Sequence, residues 1–322
     1  MAGPILLGKR TLAAKLETTR GTPVVLADAD FDVAVYGITM SNEIAEFARK
    51  YMTGDHDSFA SVMGRQKGTI GLSFDLTYSG GPDTEPKWMK FLKACGAGAS
   101  AAAGTSVTLN PDKGKDGQSL TIYIQDEVIG DAPGAIVYKY KGCVGNAKIS
   151  MDEGGQPLKA VCEFQGALFE VVDAASAAIL QPTGLDTGVP DSVLDALIQA
   201  GGEEQVINKF ELDFGNKVEL ENKPSDPTGY RGAYISARDP KLTVDPQAGL
   251  LAEDPVHTRW KAGTEVVFTL QTEHFKIEAL KAQLMTVGDA AQGGAVAWNQ
   301  VYRLNRVPSG SPWSLTHAAS FP

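Results

Sequence analysis

Hydrophobic and polar residues alternate along most of the chain, and this period of two is the pattern of strands with one buried face. In the clearest run, Ile70, Leu72 and Phe74 alternate with small polar residues, which predicts a half-buried strand. The same alternation predicts strands at Leu120/Ile122/Ile124, Ile136/Tyr138/Tyr140, Leu158/Ala160/Cys162/Phe164, Phe210/Leu212/Phe214, Val266/Phe268/Leu270 and Val296/Trp298/Tyr302/Leu304. Turn residues separate them, for example at 79–82, 152–155 and 288–289. The chain is therefore predicted to be all-β.

Two short helices are predicted to interrupt the strands. The first starts at Pro86, a residue suited to a first helical turn, and ends at Gly96. Its apolar positions have the spacing of one helix face that packs on a sheet, and they form a core helix: Trp88, Phe91, Leu92 and Cys95. The second is predicted over residues 191–200, inside a stretch at 173–204 whose Ala, Ser, Thr and Gly content is typical of a linker.

The linker divides the chain into an N-terminal arm (1–24), a first β domain (25–172) and a second, shorter β domain (205–322). A faint internal repeat relates the two domains, because three residues of the first recur in the same order and at similar spacing in the second. Asn42, Arg65 and Trp88 match Asn216, Arg238 and Trp260, and farther along the segment 148–151 matches 283–286. The repeat favours two tandem copies of one fold, and two β domains with similar turns are the alternative.

Composition and charge exclude several classes of protein. The chain has 322 residues with 43% hydrophobic and 21% charged, which is the composition of a folded protein. Lys and Arg number 29 against 39 Asp and Glu, so the net charge of −10 argues against a protein that grips the phosphates of nucleic acid. No apolar run is long enough for a membrane span, and the N-terminus lacks a signal-peptide core.

The chain shows no pattern of reactive or metal-binding residues. Cys95, Cys143 and Cys162 are odd in number and widely spaced, so buried free thiols are expected. The four histidines form no metal-binding spacing, and a glycine-rich stretch at 96–101 follows a helix where a dinucleotide site requires a strand. No catalytic residue, cofactor site or metal site is predicted, and the chain is not expected to be an enzyme.

Several segments resemble the tail tube proteins of long, non-contractile-tailed bacteriophages, the siphophages. Lys15-x-Glu17 followed by Gly21-Thr22-Pro23 is similar to the start of such proteins, and residues 86–96 resemble their short helix. Residues 138–148 and 158–166 resemble their pair of late strands. In the second half, residues 210–216 and 235–240 resemble segments of the longer, two-part members. These segments keep the family's order over most of the chain.

The resemblance implies a β-sandwich with a flanking helix whose copies form a ring around a shared inner β-barrel. It also implies that rings stack into a hollow tube through which DNA leaves, in the virion tail, after synthesis and assembly in the host bacterial cytoplasm. The expected partners are the chain itself, a tape measure protein, and tail terminator and distal tail proteins. An acidic chain suits such a tube, because negative walls repel phosphate and let DNA pass without specific binding.

The resemblance also directs attention to particular residues. The polar stretch between two strands is predicted to be the loop that contacts an adjacent ring, with the N-terminal arm as a second candidate: Met52, Gly54, Asp55, His56, Asp57 and Gly64. Two polar strand faces are candidates for lining the lumen: Thr69, Ser73, Asp75 and Thr77, and Lys209, Glu211 and Asp213. If the fold is duplicated, three chains make a pseudo-hexameric ring, with a ring of six chains as the alternative.

Two other functions remain open at this point. A distal-tail or baseplate ring protein shares the tube fold and differs only in that its rings do not stack into a long tube. A β-sandwich module that binds carbohydrate is suggested by Trp260, Trp298 and Trp313, and it requires these aromatic rings to be exposed on one face.

Overall fold

The computed structural model describes residues 5–49, 60–112, 118–128, 134–175, 179–249, 255–292, 294–308 and 310–321, with side chains described from residue 9 onward. These residues form mostly β-structure, as the alternation predicted, with two short α-helices, α1 (Met89–Ala94) and α2 (Val256–Ala262). The strands are β1 (Ile5–Leu16), β2 (Tyr36–Phe47), β3 (Val62–Asp75), β4 (Thr77–Tyr78), β5 (Ala97–Ala102), β6 (Ser106–Pro111), β7 (Leu120–Val128), β8 (Gly134–Met151), β9 (Lys159–Ala175), β10 (Val189–Pro190), β11 (Leu197–Ala200), β12 (Glu203–Glu204), β13 (Phe210–Asp213), β14 (Asn216–Asn222), β15 (Tyr230–Arg238), β16 (Lys241–Val244), β17 (Glu265–Gln271), β18 (Phe275–Gln292), β19 (Ala295–Leu304) and β20 (Ser314–Ala318).

Each run of alternating residues identified in the sequence lies on a strand. In β3, Ile70, Leu72 and Phe74 are completely or almost completely buried, while the residues between them are partly exposed. The other predicted runs fall on β7, β8, β9, β13, β17 and β19. The alternation identifies these strands because successive side chains of a strand point to opposite faces of its sheet.

Sixteen strands belong to one antiparallel sheet, whose main path is β12-β11-β17-β18-β19-β16-β13-β8-β9-β3-β2. The long strand β8 has two partners on one side: β7 along residues 134–143 and β13 along residues 148–151. Strand β9 covers its other side. The contact between β8 and β13 joins the first and second halves of the chain within the sheet, and the pairing of β20 with β6 joins them a second time.

The two halves have the same strand order. Read from the β2 end of the sheet, the first half runs β2-β3-β9-β8-β7-β1. Read in the same direction, starting at the junction with β8, the second half runs β13-β16-β19-β18-β17-β11. Each half also has one short helix at the same place in this order. Along the chain, α1 lies between β3 and β9, and α2 lies between β16 and β19. The order is the same although the second half has fewer residues.

A separate hairpin of β14 and β15 packs over β8 and β9. Along the chain, the hairpin lies between β13 and β16, which have the places of β2 and β3 in the second half. The hairpin therefore interrupts this pair of strands. The interruptions fall at Phe214-Gly215 and at Asp239-Pro240. Proline has no backbone N–H to donate to a ladder, and it restricts the conformation of the residue before it. Pro240 therefore accounts for the second interruption.

Three sequence expectations about elements need correction. Residues 191–200 form a turn followed by β11 instead of a helix, because Ile198 and its neighbours pair with β17 and Asp195 takes a left-handed conformation. The expected turn at 288–289 lies inside the long strand β18. Helix α2 was not predicted; Pro255 precedes it, and Gly263 ends it in a left-handed conformation.

The N-terminal arm contains a strand of the main sheet. Strand β1 pairs antiparallel with β7, with Leu16 opposite Leu120. Leu12, Ala13 and Ala14 are buried there. Most of the described part of the segment 1–24 is therefore part of the folded body.

Candidate functional site

The core helix holds the sheet from one side. Trp88, Phe91, Leu92 and Cys95 are each at most 1% exposed. The ring of Phe91 lies 5.4 Å from that of Phe74 in β3, and Trp88 Nε1 donates a hydrogen bond of 3.0 Å to the carbonyl of Thr77. Burial raises the pKa of the Cys95 thiol, so this side chain stays neutral and acts as an apolar packing group. The helix thus has a structural role.

The opposite side of the sheet carries the candidate lumen residues. Thr69, Ser73 and Asp75 of β3 point away from the core, and so do Glu211 and Asp213 of β13. The ladder connects these two sets, because Asp75 is opposite Lys159, Lys159 is opposite Ser150, and Ser150 is opposite Glu211. Residues opposite each other on neighbouring strands share a face. The two predicted sets therefore lie on one surface, which we call the polar face.

Two candidates for this surface are placed differently. Thr77 lies in β4, which pairs with β10 outside the main sheet, and its hydroxyl is 3.4 Å from a carboxylate oxygen of Asp186. Lys209 lies immediately before β13 and is exposed. It has the same alternation as Glu211 and extends the polar face at its end.

Positive and negative side chains are mixed on the polar face. Lys148 lies 3.0 Å from Glu211 and 3.4 Å from Asp213, and Lys67 lies 2.8 Å from Glu43. Its hydrogen bond to Glu211 raises the pKa of Lys148. The ladder places these charged residues on the face: Glu43, Lys67, Asp75, Lys148, Lys159, Glu163, Glu211, Asp213, Lys241 and Arg303. These ten residues are five acidic and five basic ones, and Lys209 adds one more basic residue, so the excess negative charge of the chain lies outside this set.

The expected ring-stacking loop belongs to the hairpin of β2 and β3. Met52, Gly54, Asp55, His56 and Asp57 lie outside the described residues, and Gly64 lies in β3. The strand ends next to the loop expose large apolar side chains: Ile44, Phe47, Val62 and Met63, with exposed fractions from 48% to 65%. Exposed apolar residues grouped at one end of a hairpin are typical of a protein contact surface.

Within the described residues, β1, β2, β5 and β12 of the main sheet each pair with a single strand and so have an open edge, and part of β18 has one too. Strand β2 pairs only with β3, so its outer edge faces outward over the whole strand. Strand β18 pairs with β17 as far as Gln283, and Trp260 Nε1 donates to the carbonyl of Met285. From 286 to 292 its paired neighbour is β19 alone. Open edges expose unpaired N–H and C=O groups that can pair with another chain.

Glu17, from the motif near the start of the chain, is a buried carboxylate with four donors. Its oxygens accept hydrogen bonds from the hydroxyls of Ser119 (2.5 Å) and Thr121 (2.9 Å) and from the backbone N–H groups of Gly21 (2.7 Å) and Gly142 (2.8 Å). These donors come from the first turn, from the start of β7 and from β8. The sequence marked Glu17 only through a family resemblance, and the structure shows that it joins three segments.

The tryptophans do not form an exposed aromatic face. Trp313 is 3% exposed and packs against Phe214 with ring centroids 4.2 Å apart, and Trp298 packs partly buried against the core. Trp260 is 40% exposed. The carbohydrate-binding alternative needs several exposed rings on one surface and therefore has no support from these residues.

The described residues contain no cluster of three or more His, Cys, Asp or Glu side chains placed to hold a metal ion. Cys95, Cys143 and Cys162 are buried free thiols. None of the helices in the described ranges has the length and apolar character needed to cross a membrane. A cavity of about 710 Å³ lies between the β14–β15 hairpin and the end of β19 and includes Asn216, Arg303 and Trp313.

Comparison with known families decides what this arrangement belongs to. A family profile described as phage tail tube protein matches residues 9–294, which is most of the chain. The chain belongs to the phage tail tube protein family. No curated protein matches the sequence.

Membership in the tail tube family gives the protein its general role. It is a structural component of the virion tail and not an enzyme, and proteins of this family polymerise with themselves. The matched region runs from within β1 to the turn between β18 and β19, so it includes β2 and residues 286–292 of β18.

Proposed function

We propose that this tail tube protein forms the main tube of a siphophage tail. Copies join side by side into rings, rings stack into a hollow tube, and the phage DNA leaves through the lumen into the host. The observation that carries the proposal is the single sheet in which one strand order occurs twice, with an open edge along β2 and an open stretch at residues 286–292 of β18. A sheet of this kind removes its open edges when copies join in a closed ring.

The repeated strand order supports tandem copies of one tube domain and therefore a ring of three chains with pseudo-sixfold symmetry. In a ring of three chains, the six similar units would alternate between the first and the second half of each chain. Cyclic symmetry requires each chain to contact its two neighbours through two different surfaces, and the two open edges are different surfaces. A ring of six chains is the alternative.

The polar face is our candidate for the lumen wall. Its cations are paired with carboxylates, for example Lys148 with Glu211 and Lys67 with Glu43. Paired cations release little counterion energy to phosphate, so DNA can slide past them without being held. The composition led us to expect a lumen wall with a net negative charge that repels phosphate. Pairing of the cations is a different reason why DNA would pass without being held.

The end of the β2–β3 hairpin is our candidate for the contact between stacked rings. Its exposed apolar residues, including Phe47 and Met63, lie at the strand ends that flank residues 48–61 in the sequence. The segment at 1–24 is a weaker candidate, because β1 is held in the sheet. We further propose that the tape measure protein occupies the lumen during assembly in the host cytoplasm, and that terminator and distal tail proteins bind the two ends.

Electron microscopy of the purified chain, together with mass photometry, tests the proposed function. Hollow tubes or stacked rings are the expected result, and a ring mass of three chains distinguishes the trimer from a ring of six. Single rings that never stack would favour a distal-tail or baseplate protein. A chain that stays monomeric at all concentrations and salt conditions would contradict the proposal.

A further inference from the structure

The junction between the two halves of the chain shows how two tube units meet within one sheet. Strand β13 of the second half pairs antiparallel with the end of β8 of the first, with Asp213 opposite Lys148 and Glu211 opposite Ser150. The N–H of Phe214 continues the ladder and donates to the carbonyl of Ala147 at 3.0 Å. This junction is internal to the chain and fully described.

Strand β18 has the position in the second half that β8 has in the first. Each pairs on one side with the long strand that follows it, β19 or β9, and on the other side with the strand that precedes it, β17 or β7. Past the residues that pair with β7, β8 pairs on the same side with β13. The corresponding residues of β18, 286–292, lie past the part paired with β17 and have no strand on this side within the described chain. The second half therefore has a vacant position for one strand.

Strand β2 has the position in the first half that β13 has in the second. Each pairs on its inner side with the next strand of its half, β3 or β16. On its outer side β13 meets β8, and β2 meets no strand of the described chain. Strand β2 also lacks proline and lysine, which are the usual residues that protect an edge strand from pairing.

The ladders of the two halves can be aligned residue by residue. Thr69 and Thr243 occupy matching places, since the segments Lys67-Gly-Thr69-Ile70 and Lys241-Leu-Thr243-Val244 are similar. Thr69 lies opposite β9 and Thr243 lies opposite β19. Opposite these residues, Ser41 matches Glu211. Strand β9 pairs in turn with β8, and β19 pairs with β18. Following these pairings, Lys148 of β8 matches Ala290 of β18. This alignment follows the hydrogen-bonded ladder and replaces the match of 148 with 283 that the sequence favoured.

We propose that the outer edge of β2 in one copy pairs antiparallel with residues 286–292 of β18 in the next copy. The register follows from the internal junction: Glu43 lies opposite Ala290, and Ser41 lies opposite Gln292. Both members of each pair are on the polar face, as Asp213 and Lys148 are. The inference rests on the proposed function, because it names the two surfaces through which copies of the chain join.

The two surfaces differ, so the contact between copies is head to tail. Repeating it closes a ring if a whole number of copies completes one full turn. Val287, Asp289 and Ala291 of β18 gain ladder hydrogen bonds, because alternate residues of an antiparallel strand bond to one neighbour, and the exposed Ile44 side chain gains neighbours. Small residues at the end of β18, including Gly288, Ala290 and Ala291, leave room for the incoming strand.

Disulfide trapping tests the register with four single substitutions: Ser41→Cys, Glu43→Cys, Ala290→Cys and Gln292→Cys. Because Phe214 and Ala147 form a hydrogen-bonded pair, Asp213 and Lys148 form a non-hydrogen-bonded one, and the matching pair of residues 43 and 290 has Cα atoms about 4.5 Å apart. The in-register double variants are 43/290 and 41/292. The control double variants exchange partners, 43/292 and 41/290, which places the Cα atoms about 8 Å apart, beyond disulfide reach.

We expect at least tenfold more covalent product from the in-register pairs than from the exchanged pairs after mild oxidation of assembled protein. The native cysteines are buried, so they do not contribute. The largest covalent product then gives the number of chains in the ring, three or six. Microscopy of the same samples separates two failures. Rings or tubes in which the in-register pairs do not crosslink preferentially would overturn this inference alone, whereas absence of any assembly would contradict the proposed function as well.

A backbone variant gives a second test. In the inferred register the N–H of Ile44 points to the neighbouring copy, because it matches that of Phe214. Ile44→Pro removes this donor, and Ile44→Ser keeps it while removing the same apolar side chain. We expect Ile44→Pro to raise the concentration needed for assembly at least tenfold more than Ile44→Ser does, with unchanged circular dichroism of the monomer. Equal effects of the two substitutions would overturn the inferred pairing.

Discussion

Glu17 shows how much of the fold can depend on one buried charge. Its carboxylate receives two hydroxyl and two backbone N–H donors and has no cation among them. Hydrogen bonds to a charged group each contribute roughly 1.5–3 kcal/mol, and donors left without a partner in a buried place cost a similar amount. The chain start, β7 and β8 are therefore connected through a single side chain.

Replacement of this carboxylate should destabilise the monomer. We expect Glu17→Ala to lower the free energy of unfolding by about 3 kcal/mol, since four buried donors lose their acceptor. Urea denaturation followed by tryptophan fluorescence measures it. Glu170→Ala is the matched control, because Glu170 forms an exposed ion pair with Lys139 and its loss should cost less than about 1 kcal/mol. Similar losses in both variants would contradict the assigned role of Glu17.

His317 connects stability to pH. Its ring is completely buried against Tyr78 (4.9 Å) and Phe275 (5.5 Å), near His274 and Asp191. Burial lowers the pKa of His317 to about 4, and the nearby His274 acts in the same direction. The folded state thus disfavours the protonated ring. The stability that depends on the neutral ring is complete above the pKa of about 6.5 in the unfolded chain and is lost as the pH falls toward 4.

We therefore expect the free energy of unfolding to fall by roughly 2 kcal/mol between pH 7 and pH 5. His317→Phe keeps an aromatic ring in this place and should remove most of that fall, as measured by urea denaturation at each pH. His257→Gln, which changes a less buried histidine, should leave the fall unchanged. A pH dependence that persists in His317→Phe would show that other groups cause it.

At the scale of elements, the β14–β15 hairpin lies on β8 through a close approach of two backbones. Gly142 of β8 has φ +60, and a Cβ atom there would lie 2.4 Å from Cα of Gly232 in β15. Lys141 and Asp226 form a buried ion pair of 2.7 Å beside this approach. The hairpin takes this position because neither glycine has a side chain to separate the two strands.

A side chain at Gly142 should force the hairpin away from β8. We expect Gly142→Ala to cost at least about 3 kcal/mol, which combines left-handed backbone strain with overpacking. Gly104→Ala is the control, because Gly104 also has a positive φ (+67) but has nothing within 4 Å of its added Cβ, so it should cost only about 1 kcal/mol. Denaturation midpoints give both values, and equal costs would mean that the close approach contributes nothing.

At the scale of the whole molecule, charge is distributed in a way that the net value of −10 does not reveal. The polar face pairs its lysines with carboxylates, so its balance depends on each acidic residue. If this face lines the tube, reversing some of its acidic charges would create unpaired cations directed at DNA. Each cation that neutralises a phosphate adds about 0.9 to the slope of log affinity against log salt.

We expect tubes of the double variant Glu163→Lys/Glu211→Lys to retain short duplex DNA at about 50 mM salt, which unmodified tubes should not do. Co-sedimentation of labelled duplex with tubes measures the retention. The double variant Glu203→Lys/Glu204→Lys makes the same change in net charge on exposed β12 at the far end of the sheet path, away from the polar face. Equal retention by both double variants would contradict the assignment of the polar face to the lumen.

Local patterns predicted much of the fold because alternation is a property of each strand by itself. The run around Ile70, Leu72 and Phe74 and the helix with Trp88 were both identified in this way. Strand β2 and the end of β18 were missed, since most of their residues are exposed in the monomer and only a few apolar residues, such as Ile38 and Met40, pack against the core. The predicted helix at 191–200 failed because apolar spacing alone does not distinguish a short helix from a strand that pairs with a distant one.

The sequence by itself determined the β class, the core helix, the buried thiols and, through ordered segments matched by a family profile, membership among phage tail tube proteins. Tertiary structure alone decided that the faces of β3 and β13 form one surface, that Glu17 joins three segments, and that both halves share one strand order, with open edges at β2 and at the end of β18. The physical reason is range. Alternation and turn residues act between neighbours along the chain, whereas pairing register and edge exposure depend on strands that are tens of residues apart, such as β8 and β13 or β3 and β9.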